Sequence, residues 1–143
     1  MKNGETLLAE DLPSPPAPSY ISTMAKSYMA GDVLFIEGET GREMFIVLKG
    51  CVRIACTSGE GDVALGEFHE GDFFGEMALV GSGLRTGTAT VHADATQLVA
   101  VNQGRFVYLV SQQPAFALSI MRLMGRRMEA MNLRLSNLEM QIA

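Results

Sequence analysis

Histidine and cysteine are scarce in this chain, with two of each in 143 residues. His69 and His92 form no close pair in the sequence. No metal site is therefore expected, and each histidine reads as a strand-surface residue. No Ser/His/Asp or Cys/His constellation stands out, so no catalytic residue is assigned and no enzyme activity is expected. Cys51 and Cys56 lie five apart in what reads as one strand. Odd spacing puts them on opposite faces, which argues against a mutual disulfide and reads as reduced, cytoplasmic thiols. Positive charge is also short. Eleven Lys and Arg against 16 Asp and Glu give a net charge of −5, which argues against general nucleic-acid binding. No apolar run approaches the roughly 18 residues a membrane span needs. The opening stretch MKNGETLLAEDLPSPPAPS lacks the apolar centre of a signal peptide.

Proline is confined. Four of the five prolines, Pro13, Pro15, Pro16 and Pro18, lie within residues 1–19. That segment reads as a flexible, partly polyproline-like arm. The rest has an ordinary globular composition, 48% hydrophobic and 19% charged. Its length suits one domain. From Tyr20 to Val101 the chain is short β-type runs broken by glycine turns. The runs are about Tyr20–Ser27, Val33–Ile36, Met44–Leu48, Val52–Cys56, Val63–Phe68, Thr88–Ala93 and Leu98–Val101. Many short strands at regular spacing imply a sandwich or a barrel. Ser58 to Asp62 reads as an exposed hairpin tip.

After Asn102 the period changes from two to about 3.6. Asn102 can cap a short helix, Gln103–Ser111, with Phe106, Val107 and Val110 inward. Pro114 suits the first turn of a longer helix running to about Leu138, some 37 Å. On it Ala117, Met121, Met124, Met128, Met131, Leu135 and Leu138 alternate steps of four and three. This is the a/d seam of a coiled coil. Its first half is expected to pack on the strands. Its second half should project beyond them and pair with another copy, giving a homodimer. Arg126, Arg127 and Glu129 read as a solvated helix face.

The stretch Gly71–Thr90, GDFFGEMALVGSGLRTGTAT, carries the chemistry. Gly75 and Glu76 open a short apolar turn, Met77-Ala78-Leu79. Amides at the start of a helical turn attract an anion. Gly75 lets a ligand approach the backbone. Glu76 can accept a hydrogen bond from a sugar hydroxyl, and Arg85 offers a fork to a phosphate. These parts suit a ribose phosphate.

The stretch resembles the phosphate-binding cassette of the cyclic-nucleotide-binding domain family, the module of kinase regulatory subunits, gated channels and catabolite-activator regulators. Ala30-Gly31-Asp32-Val33, Glu37-Gly38-Glu39, Gly41, Met44 to Leu48 and Gly50 add to the likeness, which spans about residues 26–138. The resemblance implies a mainly β fold with C-terminal helices: an antiparallel jelly-roll β-barrel over about 20–101, then a short helix and a long one over about 102–138. It implies backbone contacts from Gly75, Met77 and Ala78, Glu76 on the ribose 2′-hydroxyl, Arg85 on the phosphate and a hydroxyl from Thr86. The ligand would be cAMP or cGMP, with no further cofactor; in this family a threonine after the arginine can favour guanine. The helix would sense or cap the base and signal to an output protein.

One interval departs from the family pattern. Gly87-Thr88 separates Arg85-Thr86 from Ala89-Thr90. Counting forward from Glu76 puts Arg85 in the phosphate position; counting back from Ala89 puts Gly87 there and weakens the site. A nucleotide-free barrel serving as a dimerisation or protein-interaction scaffold is the alternative. A cupin-type oxygenase would need a histidine cluster that this sequence lacks. A catabolite-activator regulator would need a helix-turn-helix after the long helix. The sequence shows none before Ala143, so a stand-alone domain without direct DNA binding is expected.

Overall fold

The computed structural model describes residues 21–142. The proline-rich arm at 1–19 lies outside them. The described residues fall into two compact units, 21–109 and 110–142. The first contains eight strands: β1 Lys26–Tyr28, β2 Val33–Phe35, β3 Glu43–Lys49, β4 Cys51–Ser58, β5 Gly61–His69, β6 Phe73–Phe74, β7 Thr88–Val91 and β8 Thr96–Asn102. A one-turn helix, α1 Met77–Val80, follows β6. Helix α2, Gln103–Gln112, leads into the second unit, which is mostly α3, Ala115–Ile142.

All strand pairs are antiparallel. They make two four-stranded sheets, ordered β1-β8-β3-β6 and β2-β7-β4-β5. The mainly β, antiparallel class expected from the sequence is present as two four-stranded sheets, with no closed barrel among the described residues. Both sheets contribute to one core. Phe35 of β2, Val52 of β4 and Ala89 and Val91 of β7 join Phe45 and Val47 of β3, Phe74 of β6 and Leu98 of β8. Four phenylalanines form its centre. Phe45 and Phe74 stack with ring centroids 5.3 Å apart, and Phe68 lies 5.2 Å from Phe74.

The strand sequences explain the layering. β7, TATV, alternates half-buried threonines with buried Ala89 and Val91, the period of a strand with one core face. β3 and β8 are buried over most of their length, and their sequences, EMFIVLK and TQLVAVN, are correspondingly apolar. β5, at a sheet end, is largely exposed and carries charge. The β4–β5 hairpin turns through Gly59-Glu60, with Ser58 paired to Gly61, as the glycine-rich tip predicts.

Three expectations change. Within the expected run Tyr20–Ser27, residues 21–25 are not strand, and Tyr20 lies outside the described residues. Ile21 is buried at the start of a 3-10 turn, Ser22–Met24, and only Lys26–Tyr28 pairs with β8. In α2, Asn102 does cap: its Oδ1 accepts from Arg105 N–H at 2.8 Å. Yet Leu109 is the buried residue, while Val107 is exposed. In α3, Phe116 and Ile120 are buried, one position before Ala117 and Met121 of the seam, and Met121 is exposed. The buried positions of α3 are thus offset by one from the seam.

Candidate functional site

Gly75 sits between β6 and α1 with φ +78°, a backbone that side-chain-bearing residues adopt rarely. A Cβ there would lie 2.8 Å from Nη1 of Arg85. Glycine therefore serves both the turn and the approach of the arginine. Arg85 lies on the loop from α1 to β7, which is zipped to the loop before β3. Arg85 N–H donates to Glu39 O and Gly38 N–H donates to Arg85 O, each at 2.8 Å, and Gly41 N–H donates to Gly83 O at 2.8 Å.

That backbone frame sends the arginine side chain inward. Arg85 is only 8% exposed. Its Nη2 donates to Glu43 O at 2.7 Å, and Nη1 reaches Gly75 O at a long 3.4 Å. Cζ stands 4.0 Å from the centroid of the Phe35 ring, within cation–π range. A Cβ at Gly41 would overlap the guanidinium, so this second glycine makes its berth. Nε is buried with no hydrogen-bond partner among the described residues. Burial pushes the Arg85 pKa down, and the nearby charges of Glu43 and Glu39 pull it partly back. No carboxylate among the described residues forms an ion pair with it. The guanidinium is thus held away from bulk water on two carbonyls and a ring, with Nε left over.

The cyclic nucleotide-binding domain model matches residues 25–113, from β1 to the end of α2. The chain belongs to this family. It is 30% identical over 117 residues to the cyclic AMP receptor protein of Thermus thermophilus, a match covering 81% of this chain and 54% of that one. The chain thus spans about half the length of that relative. The crystal structure of the Thermus thermophilus catabolite activator protein superposes with a TM-score of 0.71 at 28% identity, over 87% of this chain and 61% of the other. A structure reported under "A cyclic-GMP-dependent signalling pathway regulates bacterial phytopathogenesis" gives 0.63 at 26% identity, over 86% and 95%.

Within this cyclic nucleotide-binding domain, Gly75, Glu76, Met77 and Ala78 make one turn beside Arg85. Glu76 is half-buried at the N-cap of α1 and its carboxylate does not cap the helix. Met77 is exposed. Ala78 N–H is bonded to Gly75 O at 3.1 Å. Thr86 is exposed. Gly87, the rival to Arg85 in the counting, is buried elsewhere: a Cβ on it would overlap Ile54, Ala55 O and Leu65. It lets β4 and β5 approach and does not face Gly75. Sequence reading missed Phe35 and the Glu43 carbonyl. Phe35 sat in an apolar strand with nothing to set it apart from core, and a carbonyl carries no residue signature at all.

Proposed function

We propose that the chain is a receptor module for a 3′,5′-cyclic nucleotide, cAMP or cGMP, and that ligand binding is signalled through α3 to an output protein. The observation that carries this reading is the buried Arg85 guanidinium, with an unpartnered Nε, lying against Gly75 at the start of α1. Arg85 would exchange its long contact to Gly75 O for the ligand's phosphate. Glu76 would accept the ribose 2′-hydroxyl. Gly75, Met77 and Ala78 would supply backbone contacts, with Ala78 N–H shared between Gly75 O and the anion, and Thr86 would add its hydroxyl. The curated relative is a cyclic AMP receptor by name, and one similar structure belongs to a cyclic-GMP pathway; both purines stay within the proposal.

The exposed seam of α3 supports a homodimer as the working form. Met128, Met131, Leu135 and Leu138 are 62%, 60%, 56% and 53% exposed, an apolar stripe that a second copy would cover.

The role of Glu76 gives a direct test. Affinities for cAMP and cGMP are compared with those of their 2′-deoxy analogues by calorimetry, for the wild type and Glu76→Gln. The wild type should prefer the ribo form, and Glu76→Gln should narrow the preference. Equal binding of ribo and deoxy forms by the wild type would remove Glu76 from the ribose.

A further inference from the structure

On the outward face of the β4–β5 hairpin, three side chains of different chemistry converge. The register pairs Cys51 with His69 and Arg53 with Glu67 across the two strands. Val52, fully buried between Cys51 and Arg53, marks the opposite face as the core side. Cys51, Arg53, Glu67 and His69 therefore share the outer side. Cys51 Sγ donates to Glu67 Oε1 at 3.4 Å, and His69 Nε2 lies 3.2 Å from the same oxygen. One thiol sulfur, one carboxylate oxygen and one imidazole nitrogen all fall within 4.8 Å of each other.

We propose that Cys51, Glu67 and His69 form a binding site for a borderline-soft divalent transition-metal ion of the zinc class. The donor set fits: zinc takes thiolate, imidazole and carboxylate together, whereas magnesium or calcium would want oxygens alone. The spacing fits as well. Ligands at about 2.0–2.3 Å from a tetrahedral ion stand roughly 3.3–3.8 Å from one another, close to the 3.4 Å and 3.2 Å separations from Glu67 Oε1. Three protein ligands leave a fourth position for water. The backbones that carry the three ligands are set before the ion arrives, because all three residues lie on paired strands. Asp72 steadies the end of β5 further by accepting from His69 N–H at 2.9 Å. Binding would replace the thiol proton, released to solvent, with the metal. Arg53 opposes it: Nη2 holds Glu67 Oε2 at 3.4 Å. That contact occupies the other carboxylate oxygen and leaves Oε1 for the ion, but its charge repels a dication. The site should thus be moderate in affinity and tighten when that charge is removed.

The test uses the full chain, reduced and metal-free, titrated with Zn²⁺ alone by calorimetry and with Co²⁺ alone by absorption. One Zn²⁺ per chain should bind, and Co²⁺ should develop the near-ultraviolet charge-transfer band of a thiolate ligand. Cys51→Ser should abolish the band and weaken Zn²⁺ binding at least tenfold. His69→Ala should weaken Zn²⁺ equally, Arg53→Gln should strengthen it several-fold, and Cys56→Ser should leave both readouts unchanged. All four positions are on or near the surface of one hairpin, and circular dichroism verifies that each variant is folded. Absence of Zn²⁺ binding at 100 µM, or a cobalt band that survives in Cys51→Ser, would overturn the site.

Discussion

Arg85 carries the account at the scale of single residues. Its place in the chain shows only a loop arginine, and a loop arginine is expected in solvent. The structure instead buries it beneath the pairing of Glu39 with Arg85 and of Gly41 with Gly83. Such burial is not legible in sequence, because it depends on two loops more than forty residues apart in the chain. The sequence paired Gly75 with Arg85, and the structure brings the two together, whereas Gly87, reached by the competing count, packs on Ile54 and Leu65. If Arg85 pairs with a buried phosphate, Arg85→Ala should cost about 2–5 kcal/mol of nucleotide binding, some 30-fold and upward. Arg85→Lys should recover part of it, since an ammonium keeps the charge but loses the fork. The ligand-free protein should change in stability by no more than about 1 kcal/mol. Loss of the bond to Glu43 O is offset by relief of a desolvated charge. Calorimetry gives the affinity and thermal unfolding the stability. Undiminished affinity in Arg85→Ala would take the residue out of the site.

At the scale of elements, the long helix shows what periodicity can and cannot reveal. The existence of α3 followed from its pattern, and the structure extends it to Ile142, about 42 Å of helix. Which of its residues are buried did not follow, because Phe116 and Ile120 compete with the seam and lie one position away from it. The result is a seam that is exposed at Met121 and from Met128 onward. Unbranched methionines pack adaptably. β6 was missed for a different reason: at two residues, Phe73–Phe74, it is too short to show a period, although it sits in the aromatic core. The dimer proposal predicts that Met131→Glu with Leu135→Glu gives a folded monomer that still binds nucleotide, since the cassette is in the other unit. Light scattering at tens of micromolar reads the mass. A monomeric wild type under the same conditions would mean that the seam does not pair.

At the scale of the whole molecule, the pieces are a β-rich unit with a buried arginine beside Gly75 and a helical unit with an exposed apolar seam. Among the described residues no helix is long and apolar enough to cross a membrane. The alternation of short strands made the β class readable, and the glycine spacing made the family readable. The arrangement of those strands as two sheets was set by pairings between distant segments, such as β1 with β8, which no local pattern encodes. The same is true of Cys51, Glu67 and His69, scattered in sequence and gathered by register. Cyclic-nucleotide binding by this fold is what the proposed function rests on. Thermal unfolding of the full chain with cAMP, cGMP and 5′-AMP as control measures it most directly. A cyclic nucleotide at 100 times its dissociation constant should raise stability by about 2.7 kcal/mol, while 5′-AMP should give much less. Unfolding curves that coincide with and without millimolar cAMP and cGMP would contradict the account and leave the fold as a scaffold.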